Sequence, residues 1–261
     1  MTRLRLRRVV HSSVLLEFDD YAILTDPWFS QLYGHHWGEA AGVALAELPK
    51  LTGVLSSHKD YDHFDMKTFA SYQDKQVPMI VRKGSETIAT EVGFTNVKGL
   101  ETWQTAQLGP IKITATPAKH KEELGVPQNT YALQYRDKTV FFGGDTLLIP
   151  EFKEVAKRFP NIDVALLPIN SLTIRPLGNK RVVMNAKDAA TLASWLSPKV
   201  VIPIHYRYTP SWYRRPLIRF ERKPELFVKA VTQQAPEVEV RVLVPGEVFE
   251  VKQTENLSLK T

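Results

Sequence analysis

Ser56-Ser57-His58-Lys59-Asp60-Tyr61-Asp62-His63-Phe64-Asp65 follows directly on the apolar run from Leu51 to Leu55, and it packs two imidazoles and three carboxylates into the eight residues from His58 to Asp65. Groups crowded this closely repel or desolvate one another unless a cation neutralises them. A solvated acidic loop accounts for the aspartates but not for the paired histidines. The stretch by itself leaves both a metal site and an acidic loop open.

The surrounding chain bears on that choice. Four separate apolar runs with strand character each lead into a residue type that binds metals. The run from Gly53 leads into His58, the one from Ile111 into His120, the one from Lys138 into Asp145, and the one from Val200 into His205. Strand ends are where layered folds place sites, because the strand fixes the backbone and the following loop carries the chemistry. One histidine after a strand reads as a surface residue; four such ends together favour a shared site. His11, His35 and His36 are left without a role.

Between these points the chain alternates strands and helices. Val9 to Phe18 and Tyr21 to Thr25 predict an opening hairpin across Asp19-Asp20, and Gln31 to Gly42 reads as a loop. Asp65 is an expected N-cap for a helix over 66–72, and Asn185 for one over 186–196. Thr130 to Tyr135 and Lys138 to Phe142 form a second expected hairpin. Strands are expected again at 238–244 and 248–251 after a helix opened by Pro224. No repeat, linker or low-complexity tract divides residues 1–261, which predicts sheets covered by helices in a single domain.

Composition narrows the class further. With 43% hydrophobic and 24% charged residues the chain is an ordinary globular one. The absence of cysteine excludes disulfides and thiolate zinc sites. No apolar run approaches a membrane span, and the basic start lacks the continuous apolar core of a signal peptide, which predicts a cytoplasmic protein. The net charge of +6 suits an anionic partner or a mildly basic surface, and nothing resembles a nucleic-acid module.

The series His58-x-Asp60-x-Asp62-His63, then His120, Asp145 within Gly-Gly-Asp-Thr, and His205 resembles, in order and spacing, the ligand series of the metallo-β-lactamase superfamily. Ile23-Leu24-Thr25-Asp26-Pro27-Trp28, Thr116-Pro117-Ala118-Lys119-His120 and Pro203-Ile204-His205-Tyr206 are similar to the branch of ascorbate-6-phosphate lactonases and N-acylphosphatidylethanolamine phospholipases D. The resemblance implies an α+β fold, an αββα four-layer sandwich of two mixed β-sheets with helices on the outer faces. It also implies two divalent metal ions, one held by His58, Asp60 and His120, the other by Asp62, His63 and His205, with Asp145 between them. Asp26 is then placed to orient a ligand histidine from behind, although a carboxylate in Asp-Pro also reads as a simple turn residue. The implied chemistry is metal-assisted hydrolysis, in which Asp62 orients the attacking water and takes its proton.

Asp60 departs from the pattern, which usually has histidine there. Three carboxylates against two divalent ions leave about one net positive charge instead of about two, and harder ligands move preference from zinc towards manganese or iron. The alternative outcome is a weak first position, with one ion well held.

Tyr206-Arg207-Tyr208-Thr209-Pro210-Ser211-Trp212-Tyr213-Arg214-Arg215 begins directly after His205. Guanidinium groups suit phosphate, which makes Arg207 and Tyr206 the expected substrate contacts; a solvated loop is the plain alternative. Three functions stand at this point: hydrolysis of an anionic, phosphate-bearing small molecule or phosphodiester; hydrolysis of a lactone or carboxylic ester; and metal binding without catalysis. A homo-oligomer is compatible with each.

Overall fold

The computed structural model describes residues 2–252. Leu4–Val10 opens by alternating leucine with arginine, and Leu4 and Leu6 are buried while Arg5 and Arg7 are partly exposed. That strand lies in a seven-stranded sheet in the order Val248–Glu250, Leu4–Val10, Ser13–Phe18, Tyr21–Thr25, Gly53–Leu55, Met79–Arg82 and Val97–Leu100. Its early strands pair antiparallel, whereas Tyr21–Thr25 through Val97–Leu100 pair parallel.

A second seven-stranded sheet has the same mix of three parallel and three antiparallel pairings. Glu239–Val240, Val200–Ile204, Val164–Pro168 and Lys138–Phe142 run parallel. Thr130–Tyr135, Ile111–Thr116 and Thr105–Leu108 complete it antiparallel. The inner faces of the two sheets share one core, in which Leu16, Phe18 and Leu55 meet Tyr131, Leu133 and Phe142. Helices Phe152–Arg158, Ala186–Leu196 and Pro224–Gln234 cover the second sheet through Phe152, Ala190 and Phe227. Met66–Phe69 and Glu86–Thr90 cover the first through Phe69 and Ala89. This is the αββα sandwich, and the expected caps are made: Asp65 accepts from Thr68 N and Asn185 from Asp188 N.

Three expectations are corrected. The run from Val9 to Phe18 is two strands, because the chain turns at His11-Ser12 and pairs Val10 with Ser13. The segment from Gln31 to Gly42 contains the strand His35–Trp37, which pairs with Tyr208–Pro210. Only Glu239–Val240 is regular within 238–244. Val97–Leu100 and Thr105–Leu108 are strands with no sequence signal, since each has a single fully buried residue.

Arg8 shows how the sandwich closes on itself. It is buried at 1% exposure, pairs with Glu39 and donates to Leu243 O at 3.1 Å. Removing one partner of such a pair strands the other charge in the interior, so Glu39→Ala is expected to cost about 3 kcal/mol in chemical denaturation. A cost near zero would show that water reaches Arg8.

Candidate metal centre

Topology assembles the site. Strands Leu4–Val10, Tyr21–Thr25 and Gly53–Leu55 run in one direction, and Ile111–Thr116, Lys138–Phe142 and Val200–Ile204 likewise share one, so their carboxyl ends gather at one edge. The residues that follow those ends are His11, Asp26, His58, His120, Asp145 and His205. Carboxyl ends of parallel strands are where such folds open a crevice for ligands.

At this edge the donor atoms fall into three overlapping groups, each within 4.8 Å: His58, Asp60 and His120; His58, His63 and Asp145; and His11, Asp62, His63 and His205. All seven residues expected as ligands are therefore brought together, and His11 joins them. The sequence hides His11, because it reads as part of a continuous strand from Val9 to Phe18, whereas the first strand ends at Val10.

Asp26 ties two of the ligands together. Its backbone N–H donates to Leu55 O at 2.8 Å, and its carboxylate accepts from Ser57 N at 2.7 Å and Ser57 Oγ at 2.9 Å. The same carboxylate lies 2.6 Å from His63 Nδ1, and Ser57 Oγ lies 2.9 Å from His58 Nδ1. One consistent assignment has both Nδ1 atoms protonated and donating, which leaves both Nε2 atoms with a free lone pair. His120 Nδ1 donates to Val182 O at 2.8 Å, with the same result. These are the tautomers a metal ligand needs.

Gly144 lets Asp145 approach. Its φ is +50°, and a Cβ there would lie 2.6 Å from Ser57 Cβ. Asp145 Oδ1 lies 2.9 Å from His205 Nε2, and its Oδ2 lies 3.5 Å from His63 Nε2 and 3.9 Å from His120 Nε2. Asp26 and His205 have φ of 36° and 58°, in a region that costs non-glycine residues about 1–3 kcal/mol. Such strain gathers where function holds side chains in place.

The chemistry of the donors fits metal ions. His58 Nε2, His63 Nε2, His120 Nε2 and His205 Nδ1 are buried without a hydrogen-bond partner. A buried polar atom left unpaired costs about 1–3 kcal/mol, and four at one edge are unexplained by packing. Burial pushes the His120 imidazole down to about 3. Burial opposes ionisation of Asp145, but the charges of His205 and His63 hold it well below the ordinary carboxylate range. Asp62 is likewise held well below that range, where burial is outweighed by contacts with His11 and His35. Burial works against a proton on His63, yet Asp145 and Asp26 raise its pKa well above the usual imidazole value.

Asp60 has a second partner. Its Oδ2 faces His58 Nε2 at 3.4 Å and His120 Nε2 at 4.0 Å, and the same oxygen pairs with Lys121 Nζ. A cavity of about 390 Å³ opens over the cluster, with Asp60, Asp62, Lys121 and Arg214 on its polar side and Leu172 and Leu217 on its apolar side. Tyr206 and Arg207 do not line it. Tyr206 is buried in the helix-side core under the Arg8 guanidinium, and Arg207 turns to Glu39 at 3.9 Å. His36 contacts Ser211 Oγ at 2.8 Å, and His35 lies 3.8 Å from Asp62.

A two-sheet sandwich whose strand ends gather a histidine and aspartate cluster able to hold metal ions defines the αββα class. Residues 21–206 match the family model described as the Beta-lactamase superfamily domain. A metal-dependent hydrolase of the UPF0173 family from Pelotomaculum thermopropionicum is 30% identical over 251 residues, covering 92% of this chain and 97% of its own. One from Caldivirga maquilingensis is 26% identical over 245 residues, covering 92% and 94%. Igni18, a metallo hydrolase from Ignicoccus hospitalis, superposes with a TM-score of 0.72 at 24% identity, covering 97% of this chain and all of that one. The chain belongs to the β-lactamase superfamily, in the family of these metal-dependent hydrolases. Among the described residues no helix is long and apolar enough to cross a membrane.

Proposed function

We propose that the protein is a metal-dependent hydrolase of an anionic small molecule, with a phosphate ester or phosphodiester as the bond cleaved. The observation that carries the anion is the pair of cations, Lys121 and Arg214, on the wall of the cavity over the ligand cluster. His58, Asp60 and His120 would hold one ion, Asp62, His63 and His205 a second, with Asp145 shared. Bound divalent ions supply Lewis acidity and bring the pKa of water from about 15.7 towards 7. Asp62, ionised at the cavity wall, accepts a hydrogen bond from the attacking water and aims it. Arg214 and Lys121 receive the anionic oxygens of the substrate. Leu172, Ile174 and Leu217 take its apolar part and exclude water. Manganese or iron suits the extra carboxylate of Asp60 better than zinc does.

The likeness to the lactonase and phospholipase D branch supports a phosphate-bearing or lactone substrate. The cations favour the first. The test is a screen of the metal-loaded enzyme against bis-p-nitrophenyl phosphate and a panel of lactones. Turnover of the diester is expected, with Arg214→Ala raising KM roughly 10–100-fold through a lost charged hydrogen bond while kcat holds. Arg207→Ala is expected to leave both constants unchanged, since its guanidinium faces Glu39. Turnover of lactones without the diester would replace this reading by ester hydrolysis.

A further inference from the structure

We propose that His11 is a direct ligand of the second metal position, joining Asp62, His63 and His205; the inference rests on the metal-dependent reading above. His11 occupies the turn between Leu4–Val10 and Ser13–Phe18, at the same edge as the other ligands. Its side chain is fully buried, and neither ring nitrogen has a hydrogen-bond partner. A buried imidazole normally satisfies at least one nitrogen, as His58, His63 and His120 do here through Nδ1.

The ring is aimed into the cluster. His11 Nε2 is 3.6 Å from Asp62 Oδ2, too long for a hydrogen bond, and the ring centroid lies 3.9 Å from that of His205. A donor atom of His11 lies within 4.8 Å of donors on Asp62, His63 and His205. Packing alone gives no reason for an imidazole here. The ring meets Trp28 edge-on at 5.1 Å, a contact that phenylalanine would make as well without burying two orphaned nitrogens. The backbone is also strained, with φ of 55°. His205 N donates to His11 O at 3.3 Å, so the same turn holds the neighbouring ligand.

The consequence is an asymmetric centre. The second position gains a third imidazole, whereas the first keeps two imidazoles and an Asp60 carboxylate already paired with Lys121. The second position should load first.

Two variants test this. His11→Gly suits the positive φ and opens a ring-sized space, and His11→Phe keeps the contact with Trp28 without a donor atom. Metal-free wild type and both variants are titrated with cobalt(II), following the visible ligand-field bands and affinity by chelator competition, beside denaturation of the metal-free proteins. The expected result is loss of the tighter cobalt step in both variants, by roughly 100-fold, at least the upper end of what outer partners contribute. Added imidazole is expected to restore the bands in His11→Gly only. Unchanged bands and affinity in either variant would overturn the assignment. So would weakened binding that imidazole does not restore and that tracks an equal loss of metal-free stability. A wild type that takes up no cobalt would sink the metal-dependent reading itself, which is a different failure.

Discussion

Asp26→Ala is expected to lower metal affinity by roughly 10–100-fold and to remove most of the hydrolytic activity, although Asp26 donates no atom to the ion itself. Its carboxylate holds His63 Nδ1 at 2.6 Å directly and His58 Nδ1 through Ser57 Oγ. Without it both rings are free to rotate or to change tautomer, and the two positions each lose the preset orientation of one imidazole. The backbone N–H of Ser57, which donates to Asp26 at 2.7 Å, is left unpaired in the interior at a cost of about 1–3 kcal/mol. Asp26→Asn separates the two effects. The amide can still accept from Ser57 N, so stability should largely return, but it cannot also supply the carboxylate charge that favours a donating His63. Metal content after dialysis and thermal denaturation measure the two losses independently. Full metal content in Asp26→Ala would mean that the strand ends alone hold His58 and His63.

The same residue shows how much of the site the sequence alone carries. Asp26, His58, His120, Asp145 and His205 stand just past strongly apolar strands. Their convergence follows from the direction in which those strands run, so the candidate ligands and the layered fold were both legible. His11 was not, because two adjacent strands of one sheet read as one when the turn between them is a two-residue His11-Ser12 without glycine or proline. Arg207 misled for a complementary reason. It follows His205 by two positions, but the chain beyond His205 extends into Tyr208–Pro210 and carries Arg214 back over the cavity. Sequence distance from a ligand fixes neither the direction of the next side chain nor its partner, which here is Glu39. Lys121 was equally hidden, since its importance comes from Asp60, sixty-one positions earlier.

Asp60→His, which restores the usual ligand of the superfamily, is expected to lower stability rather than improve the centre. The carboxylate is the partner of Lys121, whose side chain is 17% exposed. Removing the carboxylate leaves the ammonium beside a new imidazole, His58 and His120. Breaking a fully buried pair costs about 3–5 kcal/mol, and the residual exposure of Lys121 reduces that to about 1–3 kcal/mol. The double substitution Asp60→His with Lys121→Met removes the stranded charge as well, so most of the stability should return. The double variant should also take up a second equivalent of zinc more tightly than wild type, because no ammonium then competes at the first position.

The pH dependence follows from the same pair. Burial raises the Asp60 pKa, but the closeness of His58, whose Nε2 lies 3.4 Å away, and the charge of Lys121 outweigh it and depress the folded value below that of the unfolded chain. The contribution of Asp60 to stability is therefore complete above about pH 4, the ordinary carboxylate pKa, and is lost as the pH falls below it. Wild type should lose stability on acidification through that range more steeply than the double variant. Parallel acid profiles for the two proteins would show that Lys121 is solvated away from Asp60, and the first position would then be free to bind metal as strongly as the second.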